Sequence, residues 1–304
     1  MRQGRCVLSP DGSGRVLDRL AGLEKVITPA VVGQVLWATN RVNQRACKLT
    51  HEVMLWVVLA MGILTNLPIR QVFKHARRLR MGEDAPHRSS LCVARQRLGI
   101  PPIRHLFQEV VHPFAKPDTP GAFYRGLRLM GIDGTVLNVP DTPANEKTFG
   151  RPSGGDRGEG AFPQVLKLSL VELGTHAEVA FQIKPCTSSE QAALPSLLRH
   201  LTPEMLLIWD RNFFSYQLWK TLNSREIKLL ARVKANLILE PIERLSDGSY
   251  LAKIYPNPYA RQKDRNGIVV RVIQYTLDDP GRVGHGEAHT LLTNLLDEKL
   301  YPAP

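Results

Sequence analysis

The chain has 304 residues, with 40 Lys and Arg against 28 Asp and Glu, four Cys, and 43% hydrophobic residues. That hydrophobic share excludes a disordered or collagen-like chain and suffices for one large domain or two smaller ones. The most apolar stretch, Val53–Leu64, has 12 residues, against the roughly 20 that a membrane-spanning helix needs, and no apolar leader follows the basic N-terminus. No membrane role is therefore expected. Cys6, Cys47, Cys92 and Cys186 form no Cys-x-x-Cys pair, which suits reduced thiols in the cytoplasm better than a disulfide frame.

The charge is lopsided. Residues 1–130 hold 20 Lys and Arg against 8 Asp and Glu, whereas residues 131–304 hold 20 of each. Such asymmetry is what a nucleic-acid-facing module joined to a second domain shows. The densest run contains Lys74, Arg77, Arg78 and Arg80, which are expected to contact a DNA backbone, since each neutralised phosphate releases counterions.

In chain order, residues 1–20 mix Gly, Ser and Arg and are expected to lack order. From Pro29 to Phe114 the pattern is helical, with Val31, Val35 and Leu36 on one face and Val53–Leu64 as a buried helix. Pro68 marks a first turn, Ser89-Ser90 an N-cap, and Gly99 a stop. Pro113–Pro120 reads as a linker. Leu127–Asp133 then alternates like a strand ending on Asp133. Val165–Glu172 and Ala177–Ile183 read as a hairpin around Gly174-Thr175-His176. A helix capped at Ser188-Ser189-Glu190 continues to His200, and Met205–Asp210 is a short strand ending on Asp210. Phe213–Ser224 is a helix and Ile227–Val233 a strand. Short β runs at Tyr250–Ile254 and Ile268–Thr276 precede a last strand, Ala288–Leu295. The layout is α/β with a mixed sheet.

Asp133 and Asp210 carry the chemistry in this reading. A carboxylate directly after an apolar strand is costly unless it has a partner, and ligands of open α/β sheets bind at the carboxyl ends of strands. If the two strands are neighbours, both carboxylates face one spot and repel unless a divalent cation lies between them. Oxygen ligands suit Mg²⁺ or Mn²⁺. Each Asp alone could equally cap the turn that follows it. Arg211, next to Asp210, could contact a phosphate or pair with a carboxylate. His285 and His289 lie four apart but lack the His-Glu-x-x-His order of a zinc helix, and Gly284 and Gly286 oppose a helix there. The glycine-rich loop 150–160 lacks the Gly-Lys-Ser/Thr ending of a phosphate loop.

GIDGTVLNVPDTPANEKTFGRPS, GAFPQVLKLSLVELGTH, SSEQAALPSLLRHL, LLIWDRNFFSY and LLARVKANL together resemble bacterial insertion-sequence transposases of the DDE type, the insertion-sequence-4 family above all. The resemblance implies a ribonuclease H-like mixed five-stranded sheet with helices on both faces and a β-rich insertion, preceded by a small all-helical domain. It implies that Asp133 and Asp210 are two of three carboxylates holding two Mg²⁺ (or Mn²⁺) ions for cleavage and strand transfer at element ends. Double-stranded DNA is then the partner, with self-association on DNA a further expectation. The organisation implied is an N-terminus (1–20), a helical DNA-binding domain (21–115), a linker (116–124) and the first part of the core (125–234). The insertion (235–287) and a last core strand with the chain's end (288–304) follow.

One part of the family's pattern is missing. No Tyr-x2-Arg-x3-Glu-x6-Lys helix occurs in residues 211–304, and Glu287 and Glu298 are out of register with its Glu. The expectation is a transposase shortened before its third carboxylate and impaired in activity. A DNA-binding fragment that inhibits transposition and a stand-alone metal-dependent nuclease are the alternatives.

Overall fold

The computed structural model describes residues 21–45, 47–77, 84–153, 158–281 and 285–303. The expectations for residues 1–20, for Arg78 and Arg80, and for the middle of the glycine-rich loop lie outside the described residues. The chain divides into two compact units, one ending at His112 and one beginning at Pro113. Each has its own hydrophobic core.

The first unit contains helices α1 (Pro29–Ala38), α2 (His51–Ile63), α3 (Ile69–Ala76), α4 (Arg88–Leu98) and α5 (Pro101–Val110). Thr28 and Thr50 cap α1 and α2, their side chains accepting from the N–H groups of Val31 and Val53. Met54, Leu55, Val57 and Ala60 are buried, so the apolar Val53–Leu64 stretch is a core helix. Among the described residues no helix is long and apolar enough to cross a membrane. The cap of α4 is His87, not Ser89: its ring nitrogen accepts from Ser89 N–H at 3.3 Å. Gly99, at φ +70°, ends α4 where an L side chain would be strained.

The second unit is built on one mixed sheet. Its strands are β1 (Phe123–Tyr124), β2 (Leu127–Asn138), β3 (Gln164–Glu172), β4 (Ala177–Pro185), β5 (Met205–Trp209) and β6 (Lys228–Arg232). They continue with β7 (Glu243–Arg244), β8 (Tyr250–Ile254), β9 (Ile268–Thr276) and β10 (Ala288–Thr293). The order is β4-β3-β2-β5-β6-β10-β9-β8-β7, with β1 paired to β2. β5 runs parallel to both β2 and β6; the remaining pairs are antiparallel. The β-rich insertion is thus no separate layer, because β10 pairs with β6 on one side and with β9 on the other.

The helices of this unit are α6 (Pro143–Phe149), α7 (Glu190–Ala193), α8 (Pro195–Leu198), α9 (Tyr216–Asn223) and α10 (Pro258–Gln262). The single helix expected from Ser188 to His200 is two short ones, divided at Leu194 before Pro195, whose ring cannot continue the hydrogen-bond ladder. Leu194, Leu197, Trp219 and Leu222 pack on one sheet face with Met130, Ile132, Leu207 and Trp209. Alternate residues of the same strands, Leu206, Ile208 and Leu230, turn to the other face. There they line an apolar groove of about 590 Å³ with Tyr124, Leu129 and Tyr301. Among the described residues the buried helical side chains cover one face, not the two that the resemblance implies.

Two buried ionic centres fasten this unit. Glu172, fully buried, accepts from the N–H groups of Phe114 (3.0 Å) and Ala115 (2.9 Å), from Thr175 Oγ1 and from Arg128. Burial pushes the Glu172 carboxyl up, but those hydrogen bonds outweigh it and hold the carboxyl below its ordinary range. Residues 114 and 115 are thereby fixed to the end of β3. Arg271, buried in β9, donates to Ser249 Oγ (2.7 Å), to the Tyr301 carbonyl (2.6 Å) and to Asp247. Asp247 Oδ2 also accepts from Ala303 N–H at 2.8 Å, so the pair ties the residues after β10 to the insertion. Burial raises the Asp247 carboxyl, but hydrogen bonds from Ser249 and Ala303 and the charge of Arg271 prevail and hold it at about 2.

Asp247→Ala leaves a buried guanidinium unpaired and should cost about 3–5 kcal/mol in denaturant unfolding. Because the carboxyl is depressed, its contribution is present above the unfolded value near 3.8 and is lost as pH falls through about 2. The stability gap between wild type and Asp247→Asn should therefore be flat at neutral pH and shrink on acidification below about pH 4.

Candidate active site

The site grows out of one pairing. The parallel register of β2 and β5 runs from Arg128↔Met205 to Ile132↔Trp209. Ile132 and Trp209 point into the core, and the residues that follow them in the chain are the exposed Asp133 and the exposed Asp210. The neighbouring-strand condition posed by the sequence is met. Asp133, however, does not end its strand. β2 continues to Asn138, paired there with β3 alone. β5 stops at Trp209 and the chain turns, with Phe213 N–H donating to the Asp210 carbonyl at 3.1 Å. Asp133 thus stands where its strand loses one neighbour, which exposes the carboxylate. Trp209 packs edge-on against Trp219 with ring centroids 6.3 Å apart, a core role.

A third carboxylate lies here that sequence reasoning missed. Ser189 caps α7 by accepting from Ala192 N–H at 3.2 Å, and Glu190 is the first residue of that helix. Its side chain lies across Gly134: a Cβ there would be 2.0 Å from Glu190 Oε1. Partial burial, then the charges of Asp133 and Asp210, raise the Glu190 carboxyl above its ordinary range. Gln191 Nε2 donates to the Asn212 carbonyl at 3.4 Å, joining α7 to the loop after Asp210. A Glu after two serines reads as ordinary helix capping, so spacing carries no sign of this approach. As the side chains stand, no three His, Cys, Asp or Glu among the described residues converge as a metal-holding group.

The other acidic candidates lie elsewhere. Glu287 precedes β10, two strands from β5, roughly 9–10 Å away by strand spacing alone. Glu298 follows β10, which runs antiparallel to β6, so it sits at the opposite edge of the sheet from Asp210. His289 contacts Arg232 at 2.9 Å and packs on Tyr275, while His285 Nδ1 contacts the Leu277 carbonyl at 2.9 Å; both are in β structure. Arg211 is exposed beside Asp210 and joins none of the described ion pairs.

In the first unit, Val72 and Phe73 anchor α3, and Lys74 and Arg77 are exposed at its end. A groove of about 390 Å³ beside them is lined by Pro68, Ile69, Arg70, Arg88, Cys92 and Arg95. Three of those six are arginines and none is acidic. Arg70 reaches this groove only because α3 packs against α4, a contact that no local pattern reveals.

Residues 125–302 match the family model described as the transposase DDE domain, which defines the second unit as a transposase domain of that class. Residues 17–108 match the insertion element 4 transposase N-terminal family. The chain belongs to the insertion-sequence-4 family of DDE transposases. It is 26% identical over 292 residues to the transposase InsG of insertion sequence element IS4 from Escherichia coli K12, covering 93% of this chain and 63% of that relative. It is 27% identical over 192 residues to InsZ of the same organism, covering 60% of each. The chain spans about 60% of the length of these curated relatives.

In metal-free buffer, Asp133→Asn should raise stability at pH 7 by about 0.5–1 kcal/mol, because it removes one of the charges crowding Glu190. The Glu190 carboxyl is raised, so the cost of ionising it is absent below its unfolded value and grows as pH climbs through the folded one. Thermal unfolding should show the gain at pH 7 and none below about pH 4.

Proposed function

We propose that Asp133 and Asp210 are the metal-holding aspartates of a DNA transposase that cleaves element ends and transfers strands. The observation that carries this reading is their side-by-side placement where the β2–β5 pairing ends, within a segment matching the transposase DDE domain. The order β4-β3-β2-β5-β6, with β5 parallel to both neighbours, supports a ribonuclease H-like core.

The donor set fits the ions implied. Both side chains offer hard oxygen and both are exposed, whereas no imidazole or thiol is gathered with them among the described residues. That chemistry suits Mg²⁺ or Mn²⁺ rather than zinc. Two such ions, when bound, supply the charge that favours in-line displacement at phosphorus. Among the chain's own residues, Asp133 and Asp210 would hold the ions at the end of the β2–β5 pairing, and Arg211 neutralises a neighbouring phosphate. Lys74, Arg77, Arg78 and Arg80, with the arginine-lined groove of α3 and α4, hold the DNA backbone without reading its sequence. Self-association on DNA belongs to the same proposal.

The test is Mg²⁺- or Mn²⁺-dependent cleavage of a duplex carrying the terminal repeats. The 304-residue chain is run beside a version extended by the family's Tyr-x2-Arg-x3-Glu-x6-Lys helix. In whichever version cuts, Asp133→Ala or Asp210→Ala should slow cutting at least about a hundredfold. Unchanged cutting by either variant contradicts the assignment. In binding assays, Lys74→Ala with Arg77→Ala should weaken all duplexes alike and flatten the salt dependence by about 0.9 per lost contact.

A further inference from the structure

We infer that Glu190 is a third acidic donor to the metal site of Asp133 and Asp210. The inference rests on the proposed function, and it assigns to this site a residue from the middle of the chain rather than from a later helix.

Three observations meet at this side chain. Gly134, one residue beyond Asp133, has no side chain where Glu190 lies: a Cβ there would sit 2.0 Å from Oε1, 2.9 Å from Cδ and 3.2 Å from Cγ. The outer half of Glu190 therefore follows the bare backbone of β2, and any other residue at 134 would push it off. Next, its base is held. Ser189 caps α7, Ala193 and Leu194 are buried in the core, and Gln191 bonds to the loop that leaves Asp210. Glu190 is thus held at the start of α7 with its carboxyl against the backbone of β2 at Gly134. Finally, Glu190 is half-buried and, among the described residues, has neither a cationic partner nor a side-chain hydrogen bond.

Glu190 and the two aspartates carry like charge, and a divalent cation shared among them would offset that repulsion. Mg²⁺ takes one or two carboxylates directly and keeps several waters, so a third carboxylate can act on the ion through a coordinated water. Glu190 need not converge with the aspartates as a direct ligand to fill that role.

The experiment measures Mn²⁺ affinity of the full 304-residue chain, following free Mn²⁺ by electron paramagnetic resonance. Thermal unfolding in EDTA checks that each variant folds. Glu190→Gln should weaken Mn²⁺ binding at least about tenfold. Gly134→Ala, which leaves every carboxylate in place, should also weaken it, while Glu287→Gln and Glu298→Gln should bind like wild type. Should Glu190→Gln not fold, Glu190→Asp and Gly134→Ala carry the test. If Asp133→Asn and Asp210→Asn lose Mn²⁺ while Glu190→Gln binds as well as wild type or better, the role of Glu190 is overturned and the two-aspartate site stands. If none of the three substitutions changes affinity, the metal-site reading falls with it.

Discussion

The parallel pairing of β2 with β5, and the point at which it stops, is the constraint on which the rest of the second unit depends. Five consecutive residue pairs lock the strands in register, ending at Ile132↔Trp209. A one-residue slip would turn Asp133 or Asp210 into the core and Ile132 or Trp209 out of it. Burial of Ile132 and Trp209 therefore fixes not only the core but the position of the carboxylates that follow. The hydrophobic effect, which has no direction of its own, acquires one from strand alternation.

Around that register the fold places groups whose charges would be costly if left alone. Glu172 and Arg271 are both fully buried, and each is surrounded by partners from distant parts of the chain. Those networks are complete, so they hold segments 114–115 and 295–303 in place. The carboxylates of Asp133, Asp210 and Glu190 are the reverse case, acidic groups left without basic partners among the described residues.

How much of this the sequence discloses depends on the range of the interaction. The helices of the first unit are legible because caps and stops such as Thr28, Thr50 and Gly99 are local. Strands at Tyr250–Ile254 and Ile268–Thr276 are legible for the same reason, their apolar runs being bounded by Pro and Gly. The end of β2 is not, since Thr135–Asn138 lies on an exposed stretch whose pairing with β3 has no apolar pattern to announce it. Nor is the merger of the insertion with the core sheet, which follows from β10 pairing on both sides. Asp133 and Asp210 stand out because a carboxylate after an apolar run is conspicuous. Glu190 and Arg70 do not, as each becomes significant only when elements distant in sequence pack together.

The most direct measurement replaces the divalent cation with Fe²⁺ and maps where hydroxyl radicals generated at the ion cut the polypeptide. Radicals travel only a short way, so cuts report the backbone nearest the metal. The account predicts cuts beside Asp133, beside Asp210 and at the start of α7, all removed by excess Mg²⁺ and by the Asp133→Asn, Asp210→Asn double substitution. Cuts confined to His285–His289 or to the Glu298 segment would contradict it.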